Sequence, residues 1–140
     1  MKKSLLLLSV VSVMILSCNK DDDPSPKTYN VTGLWIGTFK VDQLSIAALP
    51  YNYIIKPDGS MLTDGKGADG KTYYSAGTWT LDGDTLRSTY TTINFAGPAV
   101  TQSSKFYFNK SQGTLTNGTW KDGANGSNYT GTYPTMVRVN

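Results

Sequence analysis

The chain has 140 residues and a formal net charge of +3, from 13 Lys and Arg against 10 acids that are all Asp, and it contains one Cys and no His. The absence of His excludes Ser-His-Asp and Cys-His catalysis and His-ligated metals. One Cys excludes an internal disulfide and a Cys-rich metal cluster, and the length fits a single domain.

Residues 1–17 have the order of a secretory signal peptide. Lys2 and Lys3 give a basic start, residues 5–16 are apolar apart from two serines, and Ser17 is a small residue at the expected cleavage point. The apolar run is shorter than the roughly 20 residues that a membrane-spanning helix needs. We therefore predict a cleaved leader and no transmembrane anchor.

Cys18 lies where cleavage is expected. Ile15-Leu16-Ser17-Cys18 resembles the lipobox of bacterial lipoproteins. This resemblance implies that Cys18 becomes the new N-terminus and carries acyl chains such as palmitate. Two or three acyl chains anchor a protein stably, whereas one is marginal. The alternative is an ordinary secretory leader with an incidental Cys.

The segment after Cys18 is polar. Residues 19–23 resemble the lysine-plus-acidic export signal of Bacteroidetes lipoproteins, which implies a surface-exposed position on the cell outer membrane; the alternative is a plain solvated tether. Pro24 and Pro26 disfavour a helix, so residues 18–29 are predicted to be a flexible spacer. The domain that follows, residues 30–140, has no basic block, and we expect no nucleic-acid partner.

From residue 30 onwards the sequence is typical of short strands and tight turns. Strand-forming residues alternate at period two between turn signals such as Asp58-Gly59. Only residues 44–49 could form a short helical turn, which Pro50 would end. The predicted strands are 33–43, 51–56, 60–65, 72–81, 85–93, 99–109, 113–121 and 128–139. Short connections favour an all-β, antiparallel up-and-down β-barrel of about eight strands, with a sandwich as the alternative.

One side of each predicted strand carries aromatic residues alternating with small or polar ones, and this side is the predicted interior. It could be a filled core, in which Gly and Ser make room for rings, or a ligand cavity with aromatic walls. In a cavity, Ser75, Ser88, Gln102 and Ser104 would orient a polar group of the ligand. The candidate ligand-binding residues are Trp35, Phe39, Tyr53, Tyr73, Trp79, Tyr90, Gln102 and Phe106.

The phrase Gly-Thr-aromatic occurs four times, beginning at Gly37, Gly77, Gly118 and Gly131. Its spacing is too irregular for a structural repeat. We interpret each Gly as a position where a bulge or a close approach of strands lies beside a large ring. Such positions allow a sheet to curve and close.

Gly33-Leu34-Trp35, at the start of the first strand, resembles the Gly-x-Trp motif of lipocalins and other calycins. In those barrels the Trp closes the base and an Arg near the chain end packs on it. The resemblance therefore implies that Trp35 and Arg138 form the barrel closure, through a favourable cation–π pair. Together with the leader, the motif indicates the small lipocalin-like (calycin-type) lipoproteins of Bacteroidetes.

Catalytic and metal-binding patterns are sparse. Most Asp residues lie near Gly in predicted turns, where Asp has a structural role. Asp42 and Asp64 could form a carboxylate pair, although no spacing brings them together. Asp82 and Asp84 could contact calcium, but the rest of an EF-hand loop is missing. We expect no enzymatic activity, no metal and no cofactor.

The sequence therefore predicts a lipid-anchored cell-envelope barrel that binds a small or apolar ligand, or a glycan fragment, in its interior. The alternative is a filled barrel that acts as a surface protein-interaction or inhibitor module. The expected partners are the membrane, through the N-terminal lipid, and the small ligand. We expect the protein to be a monomer.

Overall fold

The computed structural model describes residues 27–139. The predicted signal peptide over residues 1–17, the lipidated Cys18 and most of the tether lie outside the described residues. Within them the secondary structure consists of eight strands: β1 (Gly33–Val41), β2 (Leu49–Ile55), β3 (Ser60–Lys66), β4 (Thr72–Asp82), β5 (Thr85–Thr92), β6 (Thr101–Asn109), β7 (Thr114–Asp122) and β8 (Thr130–Val139). No helix in residues 27–139 is long and apolar enough to cross a membrane.

Each strand pairs antiparallel with the next, and β8 closes on β1, so the fold is an eight-stranded up-and-down β-barrel. The predicted fold class is confirmed, and the ends of each predicted strand shift by one or two residues at most. The helical turn considered for residues 44–49 is wrong. Leu49 and Pro50 instead join β2 and pair with Phe39 and Thr38, because so short a segment cannot offset the cost of nucleating a helix.

The two ends of the barrel differ. The connections over residues 42–48, 67–71, 93–100 and 123–129 lie at one end, which we call the mouth, and the three shorter turns lie at the other end, the base. The chain enters at the base, where the amide of Tyr29 donates to the carbonyl of Lys110 at 2.8 Å. Whatever precedes residue 27 is therefore attached at the end opposite the mouth.

The base is closed by aromatic packing. Trp35 is fully buried, its Nε1 donates to the carbonyl of Val31 at 2.7 Å, and its ring meets Phe108 edge-on. Arg138 lies opposite Trp35 in the β1–β8 register, and its Nε donates to the carbonyl of Thr32 at 3.1 Å. Its guanidinium lies over Gly33, whose φ of +130° disfavours any other residue.

Side chains alternate between the interior and the solvent along every strand. The interior towards the base is packed with buried side chains, in which rings meet other rings, as Trp35 meets Phe108 and Tyr53 meets Phe106, and aliphatic residues lie among them. The residues that fill it are Trp35, Tyr53, Ile55, Met61, Leu86, Tyr90, Phe106, Phe108, Leu115 and Met136. Within the barrel, the cavity described below therefore lies towards the mouth.

Candidate ligand-binding site

A cavity of about 320 Å³ opens at the mouth of the barrel, and we call it the cup. Its walls come from inward-facing residues at the mouth ends of the strands and from the mouth loops. The main lining residues are Phe39, Val41, Leu44, Ile46, Tyr51, Tyr73, Ser75, Thr92, Phe95, Val100, Gln102, Trp120, Asp122, Tyr129 and Tyr133. The barrel interior is thus a packed core towards the base and a cavity at the mouth.

The floor of the cup is a cluster of rings. The ring of Phe39 lies 5.2 Å from that of Tyr51, 6.0 Å from that of Trp120 and 6.5 Å from that of Tyr133, between centroids. The Trp120 Nε1 donates to the carbonyl of Lys40 at 2.9 Å, so the indole reaches from β7 over Gly131 of β8 to β1. Packed rings held by such bonds form a rigid apolar surface.

Glycines create the space for two of these rings. A Cβ on Gly65 would overlap the ring of Tyr51, and a Cβ on Gly131 would overlap the indole of Trp120. The side chains of β2 and β7 therefore extend over the backbone of a neighbouring strand. Gly131 begins a Gly-Thr-aromatic phrase and lies beside a ring as that phrase predicts, whereas Gly65 lies outside these phrases.

Hydrogen bonds within the protein hold the polar groups of the cup wall in place. The Gln102 Nε2 donates to the Asp122 carboxylate at 2.9 Å, and the other carboxylate oxygen accepts from the amides of Ser127 and Tyr129. Because a carboxylate only accepts, this bond fixes the orientation of the Gln102 amide. The Gln102 Oε1 has no hydrogen-bond partner within residues 27–139 and can accept from a ligand. The hydroxyls of Ser75 and Thr92 lie 3.4 Å apart nearby.

The rim of the cup is aromatic. The rings of Tyr73 and Phe95 lie 6.0 Å apart, and 47% of Phe95 is exposed. The Tyr73 hydroxyl donates to Asp69 at 2.9 Å, which raises the pKa of the phenol. The amide of Lys71 and the Tyr73 hydroxyl lower the pKa of the Asp69 carboxyl. The rim loop over 67–71 is thereby attached to β4.

A network of hydroxyls lies directly beneath the floor. The Tyr53 hydroxyl lies within hydrogen-bond distance of the hydroxyls of Ser104 and Tyr133, at 3.0 and 3.1 Å. The hydroxyls of Tyr90 and Tyr133 lie 2.8 Å apart, and those of Ser88 and Ser104 are also hydrogen-bonded. Burial raises the pKa of Tyr53, and it raises the pKa values of Tyr90 and Tyr133 well above the usual range. The buried phenols therefore stay neutral and hydrogen-bonded at physiological pH.

The predicted ligand residues fall into three layers. Phe39, Tyr73 and Gln102 line the cup. Tyr53, Tyr90 and Phe106 lie beneath its floor in the filled core, and Trp35 lies at the base. Trp79 is also at the base, where its Nε1 donates to the carbonyl of Lys56 at 2.9 Å. Three of the eight predicted ligand-binding residues therefore line the cup.

Sequence patterns indicate only part of the cup. Tyr51 carries a signal because it is two residues from the predicted interior residue Tyr53, and Trp120 and Tyr133 carry one because each is the aromatic residue of a Gly-Thr-aromatic phrase. The rim residues Leu44, Ile46, Phe95 and Tyr129 lie in loops, where period-two alternation gives no face. An apolar residue within a polar loop was the only available indication of these positions.

The carboxylates of Asp42 and Asp64 take separate partners on the outside of the barrel. Asp42 accepts from the Thr130 hydroxyl on β8, whereas Asp64 accepts from the Asn52 amide on β2 at 2.6 Å. Asp84 forms an ion pair with Lys110 at the base. Within residues 27–139, no three His, Cys, Asp or Glu side chains form a group that could hold a metal ion.

Comparisons with known proteins find no matching family model, no matching curated protein and no matching solved structure.

Proposed function

We propose that the protein is a lipid-anchored lipocalin-like lipoprotein of the cell envelope that binds one small, uncharged, largely apolar ligand in the cup. The observation that supports this most directly is the rigid ring floor formed by Phe39, Tyr51, Trp120 and Tyr133 beneath an open cavity of about 320 Å³. A volume near the lower end of the roughly 300–1,000 Å³ range of ligand sites suits a single small molecule.

The chemistry of the walls limits the ligand. The Asp122 carboxylate already accepts three N–H donors, so most of its acceptor sites are occupied. The Gln102 Oε1 and the hydroxyls of Ser75 and Thr92 favour one or two hydroxyl or amide donors on the ligand. An aromatic or alicyclic molecule with a polar edge meets these conditions, and so does a single sugar ring stacked on the floor.

A fluorescence experiment tests the cup. The uncharged probe N-phenyl-1-naphthylamine should bind the protein at a 1:1 ratio with blue-shifted emission. The Ser75→Phe variant puts a ring into the cup and should lower the affinity at least tenfold. Thr78→Phe, on the outer face of the same strand, is the matched control and should bind as wild type does. Equal loss or equal retention in both folded variants would contradict the proposal.

A second experiment looks for the natural ligand. Native mass spectrometry of the protein from its own cell extract should show one reproducible bound mass. That mass should be absent from the Ser75→Phe variant and present in Thr78→Phe. Wild-type protein that is consistently empty would count against a cup ligand.

The anchoring part of the proposal depends on the lipobox and on the direction of the chain. Because the chain enters at the base, a lipid on Cys18 would join the barrel at the end opposite the mouth and leave the mouth free of the attachment point. The Cys18→Ala variant should move from the membrane to the soluble fraction. Protease added to intact cells should release the wild-type domain, and a domain that is cut only after lysis would contradict surface exposure.

The outer face supports the alternative role as an interaction module. Val139, Leu34, Ile54 and Leu62 are neighbours in register across β8, β1, β2 and β3, and each is at least 36% exposed. Large exposed apolar patches often mark interaction sites. Replacing Leu34 and Ile54 by Thr would abolish partner binding under this alternative and leave probe binding in the cup intact.

A further inference from the structure

A second concavity, of about 530 Å³, lies on the outside of the barrel across β5 to β8, and we call it the outer groove. Small hydroxyl side chains form its floor: Thr89, Ser103, Thr119 and Thr132. The longer side chains of Arg87, Lys105 and Lys121 stand beside them. The groove is on the barrel wall rather than at the mouth, so it is separate from the cup.

The three basic residues are close neighbours. Arg87 on β5 is directly opposite Lys105 on β6. Ser103 pairs with Lys121, which makes Lys121 the diagonal neighbour of Lys105, at roughly 7–8 Å. Like charges directly opposite each other destabilise a sheet, so the pairing of Arg87 with Lys105 is unfavourable unless an anion lies between them.

The carboxylates of the described residues leave this charge uncompensated. The ion pairs within residues 27–139 are Lys71 with Asp69 and Lys110 with Asp84, and neither involves the groove. Asp42 lies at one end of the groove, where its carboxylate accepts from the Thr130 hydroxyl. The three cations on β5, β6 and β7 therefore face solvent without an acidic partner.

We propose that the outer groove binds a sulfated or phosphorylated polysaccharide. Arg87 can grip a tetrahedral oxyanion with two parallel hydrogen bonds, while Lys105 and Lys121 act as point charges. The basic groups extend over three strands, or roughly 10 Å at the usual strand spacing. A polymer that carries several oxyanions can contact all three at once.

The floor of the groove favours a glycan over other polyanions. Hydroxyls of Ser and Thr donate to and accept from sugar hydroxyls. Single-stranded nucleic acids need exposed aromatic faces on which successive bases stack. Trp120, which lines the groove, is buried. Tyr107 is exposed on the same face of β6 as Lys105, but one ring cannot stack successive bases. An acidic peptide would gain little from a floor that offers no apolar pocket for its side chains.

Heparin binding to the purified protein, measured by titration calorimetry at 50 and 200 mM NaCl, tests the proposal. Wild-type protein should bind at the lower salt and lose at least fivefold in affinity at the higher salt. A triple variant, Arg87→Gln with Lys105→Gln and Lys121→Gln, should lose at least tenfold. The matched control, Lys56→Gln with Lys66→Gln and Lys71→Gln, removes the same charge elsewhere and should stay within about twofold of wild type.

Further probes separate the possible ligands. Dextran sulfate should bind and unmodified dextran should not, whereas tighter binding of single-stranded DNA or poly-aspartate than of heparin would overturn the glycan assignment. Equal losses of heparin affinity in the two triple variants would show that binding depends on net charge alone. That result would also overturn the proposed binding site. Circular dichroism checks folding, and the groove variant should melt at or above the wild-type temperature at low salt, because it removes the opposed cations.

Discussion

The hydroxyl oxygens of Tyr90 and Tyr133 lie 2.8 Å apart and join β5 to β8 through the interior of the barrel. The ring of Tyr133 also forms part of the cup floor, 5.4 Å from that of Tyr51. The hydroxyl network beneath the floor therefore sets the position of the surface on which a ligand would rest. Changes in this network should affect both stability and binding.

Alkaline pH should destabilise the protein strongly. Burial raises the pKa values of Tyr51, Tyr53, Tyr90 and Tyr133 above the usual value near 10. Above pH 10 the unfolded chain loses these protons first, so stability is complete below pH 10 and falls as pH rises toward the folded-state values. Each phenol contributes a slope of about 1.4 kcal/mol per pH unit.

Urea unfolding between pH 8 and 11.5 measures this slope. Tyr133→Phe removes one buried phenol and should make the decline less steep by about 1.4 kcal/mol per pH unit, while costing about 1–3 kcal/mol at pH 8 through the lost hydrogen bonds. Tyr107→Phe changes an exposed phenol and is the control. A slope that is the same in all three proteins would contradict the prediction.

The two base tryptophans should differ in their contribution to stability. Trp35→Phe leaves the Val31 carbonyl without its buried donor and should lower the unfolding free energy by about 2–3 kcal/mol. Trp79→Phe loses a bond of similar length, to Lys56, at an exposed position where water can replace it, and should cost less than about 1 kcal/mol. Chemical denaturation monitored by circular dichroism compares them, and equal costs would show that burial of the bond is unimportant.

Much of the fold follows from the sequence, because strand alternation and turn residues are local signals. Asp82-Gly83-Asp84 forces a tight turn between β4 and β5, in which Gly83 has a φ of +58°. The glycines of the Gly-Thr-aromatic phrases lie at close approaches of strands, with Gly118 and Gly131 beside rings and Gly37 beside Met136. A Cβ on Gly118 would overlap Phe106 and Tyr133, and a Cβ on Gly37 would overlap Met136. Each of these constraints depends on a Gly that a local sequence pattern marks.

The cup could be predicted only in part, because alternation gives the face of a residue but not its height in the barrel. Tyr51 and Tyr53 share the inward face of β2, yet only Tyr51 reaches the cup. The height depends on strand stagger and on the register shift between β1 and β8 near Ile36, which no local pattern encodes. The position of the rim residue Phe95 depends on the conformation of the loop over residues 93–100, which no sequence pattern predicts either.

Gly77 should be intolerant of any side chain. A Cβ at this position would overlap the backbone carbonyl of Thr89 and the Cα of Tyr90, and backbone cannot move aside as a flexible side chain does. Gly77→Ala should therefore cost at least about 3 kcal/mol, at the upper end of the range for overpacking. Thr78→Ala, the exposed neighbour, should cost within about 0.5 kcal/mol. Thermal denaturation distinguishes the two, and a near-neutral Gly77→Ala would show that β4 and β5 can separate.

The rim loop over residues 93–100 should control access to the cup through Asn94. The Asn94 amide donates to the carbonyl of Thr72 at 2.9 Å, and its oxygen accepts from the amide of Tyr74 at 2.8 Å. Asn94→Ala removes both bonds at an exposed site, so it should lower the unfolding free energy by only about 1 kcal/mol. The loop would then be joined to β4 by the backbone bond from the Ile93 amide to the Tyr74 carbonyl, and Phe95 would be held less firmly beside Tyr73.

We expect Asn94→Ala to weaken binding of N-phenyl-1-naphthylamine about three- to tenfold, through faster dissociation, and to speed hydrogen exchange at the Tyr74 amide. Asn52→Ala is the matched control, because it removes a side-chain bond to Asp64 on the outer wall without touching the mouth. It should leave probe dissociation unchanged. If stopped-flow dissociation rates are the same for the two variants, the loop does not gate the cup, and the floor alone determines how long a ligand stays bound.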